Sequence, residues 1–262
     1  MTRFIALISG KGGTGKTTSS IALGCAMNYF GKDVTIVDAN ITTPNVGIHL
    51  GAPIVPIHLH HVLQGKNHIS EAVYMHPSGT KIVPASISIE DLKKTKPDNL
   101  KNVIKGLKGM NDIVLVDCAA GLGKEALCAL ESVDEILIVT NPEMPAVADA
   151  LKTIKIAEEL NKKILGVVLT QTNDRNLELS IKNVEALLEK PVISVIPKDK
   201  SVKEALIRKE SVIHTHPKSN AAISYKKLAA LLLNRDYKEN IEKIEEKEHV
   251  FTRFLRLIGI HH

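Results

Sequence analysis

Short apolar runs alternate with longer amphipathic stretches along most of this chain. The run from Phe4 to Ile8 is apolar at every position, and several later runs are apolar almost throughout, as expected for strands buried on both faces of a sheet. The longer stretches have helical patterns. This alternation is typical of right-handed βαβ units, so the sequence predicts an α/β fold: a mainly parallel twisted sheet with helices on both faces, in three layers.

The elements follow from the spacing of the apolar runs and from turn residues between them. The predicted strands cover residues 4–9, 34–38, 81–84, 113–117, 135–140, 164–170 and 192–196. The predicted helices cover residues 16–30, 99–108, 124–131, 145–160, 177–189, 200–209 and 220–233.

Composition divides the chain into three parts. Its 262 residues, 44% of them hydrophobic, suit one large domain, which we expect over residues 1–235. Residues 236–248 are almost wholly charged, with three apolar residues among them, which predicts a solvated linker, helical or disordered. The terminal segment covers residues 249–262, and His261 and His262 at its end are either native or the remnant of a purification tag.

The strongest functional signal lies between the first predicted strand and the first helix, where the sequence matches the phosphate-loop pattern G-x-x-x-x-G-K-[ST]. Glycines let the backbone turn its N–H groups toward phosphate oxygens, and the following helix adds the positive end of its dipole. A glycine-rich turn before an ordinary helix is the alternative, but every required residue is present in the right context. The sequence therefore predicts a P-loop NTPase fold that binds a nucleoside triphosphate. The predicted phosphate-binding residues are Gly10, Lys11, Gly12, Gly13, Thr14, Gly15, Lys16, Thr17 and Thr18.

Lys16 and Thr17 have defined roles in this pattern, because the lysine reaches the β- and γ-phosphates and the hydroxyl ligates Mg²⁺. A second candidate for the magnesium site is Asp117, which ends the apolar run 113–116 in the manner of a Walker B strand. Ligands of such sheets bind beyond the carboxyl ends of the strands, where this acid emerges to orient Mg²⁺, usually through water. Capping of a helix is the alternative role for Asp117.

Residues 10–18, GKGGTGKTT, resemble the deviant phosphate loop of the MinD/ParA family of dimerising ATPases, and the resemblance extends over about residues 3–233. In that family the extra lysine, here Lys11, reaches across a two-fold interface to the nucleotide of the partner subunit, as an arginine finger does. The resemblance implies an ATPase that is a homodimer in its ATP state, with Lys11 and Lys16 as catalytic residues. From spacing alone, Lys11 fits a solvated loop lysine equally well.

The second predicted strand leads into a segment that resembles the family's switch I pattern D-x-D, with Asp38 as its first acid and a further magnesium residue. Position 40 is Asn, where the family carries an aspartate that orients and deprotonates the attacking water. An amide hydrogen-bonds water but does not accept its proton, so Asn40 predicts slow or impaired hydrolysis. Either this member turns over slowly or the chain was altered to hold ATP. Residues 117–121 resemble the family's switch II motif D-x-x-A-G.

Three further matches favour adenine as the base. Residues 139–143 resemble the family's VTNPE, and Asn173 lies where the family's adenine-contacting asparagine lies. Pro197, Lys198 and Asp199 resemble the segment that packs along the adenine edge. Asn and Pro after a strand usually only form a turn, but in this order behind this loop they indicate ATP, with Mg²⁺ as its metal.

The terminal segment has the pattern of an amphipathic helix behind a charged spacer. Such a helix resembles a membrane anchor that lies on the lipid surface and favours the MinD branch of the family, whereas packing on the core or on a partner subunit is the alternative. The apolar face, roughly 160° wide at 100° per residue, consists of Val250, Phe251, Phe254, Leu255, Leu257 and Ile258.

Several function classes are disfavoured. The cysteines Cys25, Cys118 and Cys128 form no C-x-x-C pair, which argues for a reducing compartment and against a zinc or iron–sulfur site. The histidines of residues 58–61 and 214–216 have no acid or cysteine at ligand spacing, so no metal site is expected there. The chain begins almost directly with a strand, so we expect no signal peptide, and no apolar run approaches the roughly 18 residues of a spanning helix. We therefore expect a cytoplasmic protein, peripheral on the inner face of the cell membrane.

Three functions remain to be distinguished. A MinD-type positioning ATPase closes as a dimer on ATP and binds anionic lipid through paired tails, with an unknown activating or cargo protein. A ParA-type partition ATPase binds non-specific DNA through lysines such as Lys203 and Lys209 instead. The net charge of +5 permits both. An iron–sulfur carrier of the same superfamily needs paired interface cysteines, which this sequence lacks.

Overall fold

The computed structural model describes residues 1–173 and 178–237. The strands of this part are β1 (Arg3–Ser9), β2 (Val34–Ala39), β3 (Tyr74–Met75), β4 (Lys81–Val83), β5 (Ile113–Ala120), β6 (Glu135–Thr140), β7 (Lys163–Thr172) and β8 (Val192–Pro197). The α-helices are α1 (Lys16–Tyr29), α2 (Val46–His49), α3 (Leu59–Leu63), α4 (Ile89–Lys94), α5 (Leu100–Lys105), α6 (Lys124–Glu131), α7 (Met144–Glu159), α8 (Ile181–Leu188), α9 (Lys200–Ile207), α10 (Val212–Thr215) and α11 (Asn220–Leu232). Two 3-10 helices cover Ile69–Ala72 and Pro97–Asn99.

The strands form one sheet in the order β3-β4-β2-β5-β1-β6-β7-β8. Every neighbouring pair is parallel except β3 with β4. The chain runs from the central strand β1 to one side of the sheet through β2 and later crosses to the other side through β6. A crevice opens at such a reversal of strand order, beyond the carboxyl end of β1.

Both faces of the sheet are covered, because successive β1 side chains point to opposite faces. Ile5 and Leu7 pack in a core cluster with residues of α1 and α11, whereas Phe4, Ala6 and Ile8 pack in a cluster with residues of α5, α6 and α7. Residues 4–8 are buried throughout. The predicted three-layer α/β/α fold is confirmed.

Each predicted strand is present, with ends that shift by up to three residues. The sequence analysis missed β3, a two-residue edge strand, and the short helices α2, α3, α4 and α10, which are too short to show a clear period. The prediction of one helix over residues 99–108 was wrong in extent: a 3-10 turn precedes α5, and α5 ends at Lys105 before Gly106. The helix predicted from residue 177 begins at Ile181, where the Ser180 side chain caps it by accepting from the Asn183 N–H.

The predicted tail lies largely beyond the part of the chain that the structure describes. Asp236 and Tyr237 are the described residues of the predicted linker over 236–248. The predicted membrane-facing residues from Val250 to Ile258 lie outside the described residues. Within residues 1–173 and 178–237, no helix has the length and apolar character needed to cross a bilayer.

Candidate functional site: a nucleotide cavity at the sheet edge

A cavity of about 640 Å³ opens at the carboxyl edge of the sheet, a volume in the range of small-molecule sites. Ser9 and residues 12–18 supply one side, which we call the phosphate-loop wall. The other side is the switch wall, formed by Asn40, Thr42, Thr43 and Asn45 together with Glu125 of α6. The cavity therefore lies between the loop that the sequence assigns to phosphate and the segment that it assigns to switch I.

Glycines shape the phosphate-loop wall. Gly13 and Gly15 have φ angles of 81° and 83°, in the left-handed region that other residues rarely adopt. Gly10 lies so close to the backbone of Asp149 that a Cβ there would clash with its carbonyl group. The glycine pattern is thus required by turn geometry at two positions and by close packing at a third.

Side chains of β7 fix this loop from outside. The Gln171 side-chain amide donates to the Gly13 carbonyl at 2.7 Å, and the Thr170 hydroxyl donates to the Thr14 carbonyl at 2.5 Å. These contacts satisfy the two carbonyls and leave the intervening Thr14 N–H without an acceptor among the described residues, so this N–H is available to an anion. Sequence analysis missed both residues, because a hydrogen bond from a distant strand to a loop carbonyl leaves no pattern in the sequence around either partner.

The start of α1 fits an anionic ligand. The helix begins after Gly15, and among the described residues no side chain caps it, so its first N–H groups lack protein acceptors. The Thr14 hydroxyl, which lines the cavity, is buried without a hydrogen-bond partner within the described part of the chain. Buried polar atoms without partners are uncommon in folded proteins, and a phosphate oxygen would satisfy both groups.

Lys16, Thr17 and Asp117 meet at the base of the cavity. The Lys16 ammonium lies 3.2 Å from one Asp117 carboxylate oxygen, and the Thr17 hydroxyl donates to the other at 2.6 Å. Ser20 donates a further hydrogen bond at 3.0 Å. A hydroxyl and a carboxylate in contact are hard oxygen ligands of the kind that Mg²⁺ prefers, so this pair fits the predicted magnesium site.

Asp38 is bonded to backbone groups, whereas Asp117 is bonded to side chains. Its buried carboxylate accepts from the backbone N–H groups of Asn40, Asn45 and Val46, at 3.3, 2.9 and 2.9 Å. It therefore holds the switch I loop and the start of α2 together. Asp38 is also paired in register with Asp117 on the adjacent strand. Burial first, and then the nearby Asp117 charge, raise the pKa of Asp38 to about 8. A divalent cation beside these two acids would favour their ionised forms.

The Asn40 amide is used within its own loop. Its nitrogen donates to the Thr43 carbonyl at 2.5 Å, and its oxygen accepts from the Thr43 N–H and hydroxyl at 3.3 and 3.0 Å. Asn40 is buried and lines the cavity, as expected for a residue close to the reacting phosphate. In this conformation its side chain shapes the loop.

Lys11 contrasts with Lys16 in the same loop. Its side chain is 48% exposed and its ammonium lies 3.8 Å from the Glu143 carboxylate, whereas the Lys16 side chain is 8% exposed. Lys11 does not line the cavity among the residues that the structure describes. Its charge is thus placed at the protein surface, beside the nucleotide site rather than inside it.

The predicted adenine residues lie at the carboxyl ends of β7 and β8. The Asn173 side chain and N–H both donate to Glu178. The Asp199 carboxylate accepts from the N–H groups of Ser201 and Ala221 and thereby caps α9. Among the described residues, Asn173 and the segment 197–199 do not line the cavity. The structure brings them to the same edge of the sheet without bringing them to the cavity wall.

Glu125 is a carboxylate of this cavity that sequence analysis missed. It accepts from the Thr42 N–H at 2.9 Å and from the Thr42 hydroxyl at 2.7 Å, which connects α6 to switch I. Burial raises the pKa of Glu125 above its usual value. The available signal was an acid in the first turn of the helix that follows the switch II motif.

Comparison with known proteins agrees with this geometry. Residues 5–212 match the CobQ/CobB/MinD/ParA nucleotide binding domain. The chain belongs to this family. It is 38% identical over 252 residues to an uncharacterized ATP-binding protein of Methanocaldococcus jannaschii, covering 96% of this chain and 95% of that one. It is 32% identical to the septum site-determining protein MinD of Buchnera aphidicola subsp. Acyrthosiphon pisum, covering 99% of this chain and all of that one.

A solved structure extends the comparison to the fold. The septum site-determining protein MinD of Pyrococcus horikoshii, complexed with Mg-ADP, has a TM-score of 0.85 and 34% identity to this chain, covering 88% of this chain and 96% of that one. The predicted family and fold class are therefore confirmed. The predicted cofactors, ATP and Mg²⁺, agree with the Mg-ADP of that relative and with the ATP analogue and magnesium bound to cobyrinic acid a,c-diamide synthase of Mycobacterium smegmatis, which has a TM-score of 0.72 and 26% identity to this chain, covering 89% of this chain and 94% of that one.

Proposed function

We propose that this chain is a MinD-like ATPase that hydrolyses ATP with Mg²⁺, forms a homodimer in its ATP state and then binds the surface of an anionic membrane to position a cellular structure. The observation that carries the proposal is the pair of lysines in one phosphate loop. Lys16 is buried, where its charge would neutralise a bound triphosphate, whereas Lys11 is exposed outside the cavity, where its charge would be available to a second molecule.

The position of Lys11 supports the proposed dimer. Its ammonium is outside the cavity of its own chain, and within the described residues it is held by an exposed ion pair with Glu143, which contributes little stability. A second copy that faces the cavity across a two-fold axis would receive this charge near its γ-phosphate, and each chain would complete the site of the other.

Hydrolysis in this dimer is proposed to be slow. Catalysis of phosphoryl transfer depends on placing the attacking water, and position 40 carries an amide that cannot accept a proton. Moreover, the Asn40 hydrogen bonds to Thr43 would have to open before its oxygen could hold a water. A long-lived ATP dimer is the consequence.

Membrane binding is proposed to depend on the tail. One short amphipathic helix binds lipid marginally, because it buries little apolar area. Two tails in one dimer act at a high effective concentration, so ATP-driven pairing converts weak binding into stable binding, and hydrolysis reverses it. The alternative, a ParA-like partition ATPase, is supported by the exposure of Lys203 and Lys209 on and after α9.

Vesicle co-sedimentation tests the proposal. Full-length protein should bind anionic vesicles more tightly with ATP than with ADP, and deletion of residues 250–262 should remove this binding while ATP binding persists. Phe254→Glu should act like the deletion, because it places a charge on the apolar face. The matched variant Arg253→Gln, Arg256→Gln should weaken binding less and mainly at low salt, because the apolar face remains.

A DNA shift assay over a range of salt concentrations separates the alternative. ATP-dependent DNA binding that falls steeply with salt, beside absent vesicle binding, would assign the chain to the partition ATPases. Vesicle binding that is independent of both nucleotide and tail would contradict both functions.

A further inference from the structure

We propose that His58, His61 and Asp91 form a binding site for a divalent transition-metal ion such as Zn²⁺, separate from the nucleotide cavity. The sequence argues against metal at residues 58–61, because no acid lies at ligand spacing. The fold supplies that acid: Asp91 of α4 reaches the two histidines at α3, and the ligand atoms of all three lie within 4.8 Å of one another. The proposal is independent of the function proposed for the nucleotide site.

The spacing fits a tetrahedral ion. His58 Nε2 lies 3.3 Å from Asp91 Oδ2, and ligands about 2.0 Å from a tetrahedral ion lie about that far apart. The His58 and His61 rings are stacked, with centroids 3.8 Å apart and planes 20° apart. His61 is partly exposed, and its ligand nitrogen lies within 4.8 Å of the other two ligand atoms, so a rotation of its ring would bring the nitrogen to the same ion.

The donor set indicates the class of metal. Two imidazoles and one carboxylate suit Zn²⁺, Co²⁺ or Ni²⁺, whereas Mg²⁺ and Ca²⁺ prefer oxygen ligands alone. Water would complete the coordination on the partly exposed side. The set therefore differs in ligand chemistry from the Thr17 and Asp117 site, which offers only oxygen.

The surrounding contacts orient the ligands. The Ser86 hydroxyl donates to Asp91 Oδ2 at 2.7 Å, as hydrogen bonds outside a metal site commonly do for ligating carboxylates. The Ser86 N–H donates to the buried His60 Nδ1 at 3.0 Å, and the other His60 ring nitrogen lies 3.2 Å from the Ile41 carbonyl. An ion that joins α3 to α4 would thus also stabilise the start of switch I.

Metal titration of the full-length chain tests the site. The background carries His261→Ala and His262→Ala, because two adjacent terminal histidines bind metal by themselves. Chelator-treated protein is titrated with Co²⁺, followed by its visible absorption, and with Zn²⁺, followed by calorimetry, in the presence of excess Mg²⁺. We expect one ion per chain and a rise of the melting temperature on Zn²⁺ addition. His61→Ala and Asp91→Asn should each weaken binding at least about tenfold.

His214→Ala is the matched control, because it removes a histidine beside an acid elsewhere on the surface and should leave binding unchanged. Asp91→Asn keeps the shape of the side chain, so its loss of metal binding does not depend on unfolding, and circular dichroism of the metal-free variants checks this. Equal affinity in the background protein, His61→Ala and Asp91→Asn would overturn the proposal. Displacement of the ion by Mg²⁺ with ATP would place it in the nucleotide cavity and would overturn the proposal as well.

Discussion

The two walls of the nucleotide cavity are built on different principles. The phosphate-loop wall pairs its charged groups with distant parts of the chain: Lys16 contacts Asp117 of β5, and the loop carbonyls are held from β7. The switch wall mostly bonds to itself, through Asn40 with Thr43 and through Asp38 with the backbone of its own loop. Two contacts link residues 41 and 42 to other elements: Thr42 with Glu125 of α6, and the Ile41 carbonyl with the His60 ring of α3.

This difference in hydrogen bonding suits the phosphate-loop wall to nucleotide binding and the switch wall to conformational change. A loop held by the sheet keeps its shape with or without nucleotide, so it provides affinity that is independent of state. A loop held by a few local hydrogen bonds rearranges at little cost, as a switch must. Substitutions in the two walls should therefore change different measured quantities.

The largest change in the rate of ATP hydrolysis is expected from substitution of Lys11. Lys11→Ala should lower single-turnover ATP hydrolysis about 10³- to 10⁵-fold, the range of a trans-acting arginine finger, and weaken ATP-driven dimerisation. Nucleotide binding by the monomer should persist, because Lys11 lies outside the cavity. Phosphate release and light scattering measure the two effects, and the Asn40→Asp background should raise the rate into a convenient range.

Lys16→Ala is the matched comparison within one loop. It should weaken ATP binding about 100-fold and lower the free energy of unfolding, because the buried Asp117 loses its cation. Unchanged turnover and dimerisation in Lys11→Ala would refute the trans role. If Lys11→Ala and Lys16→Ala weakened nucleotide binding by the monomer equally, the different locations of the two lysines would not correspond to different roles.

A substitution in the switch wall, Asn40→Asp, is expected to raise the rate of ATP hydrolysis by a smaller factor. Asn40→Asp should restore a carboxylate near the attacking water, and it removes one of the two amide donors to the Thr43 carbonyl, the other being the Asn45 side chain. General-base assistance predicts a rise in single-turnover hydrolysis of about 10²- to 10⁴-fold. Asn45→Asp, the same chemical change in the same loop, serves as the control and should leave the rate nearly unchanged. An unaltered rate in Asn40→Asp would exclude position 40 as the site of the base.

The smallest effect is expected at Glu125. Glutamine can accept from the Thr42 N–H and donate to its hydroxyl, so Glu125→Gln preserves the anchor of switch I while it removes a proton acceptor. If Glu125 is only an anchor, hydrolysis should change less than about threefold. Glu125→Ala should release Thr42 and speed nucleotide exchange, as fluorescent ATP analogues would measure. A fall in turnover of about 100-fold in Glu125→Gln would instead make this residue the base.

The sequence by itself determined the features that are local along the chain. Residues 10–18 specify a phosphate loop because glycine conformations and the start of a helix are set by neighbours in sequence. The apolar runs determined the order of strands and helices, and Asp117 could be assigned to the sheet edge because it ends such a run. The helices α2, α3 and α4 escaped prediction because a helix of four to six residues has too few turns to show periodicity.

Only the tertiary structure decided which side chains meet. Pairing of β2 with β5 places Asp38 beside Asp117, and α6 brings Glu125 to Thr42. The packing of α4 on α3 likewise brings Asp91 to His58, against the expectation from spacing. Each contact joins residues 30 or more positions apart, and burial of apolar faces selects them. Burial depends on the whole arrangement of helices around the sheet, which no short segment of sequence contains.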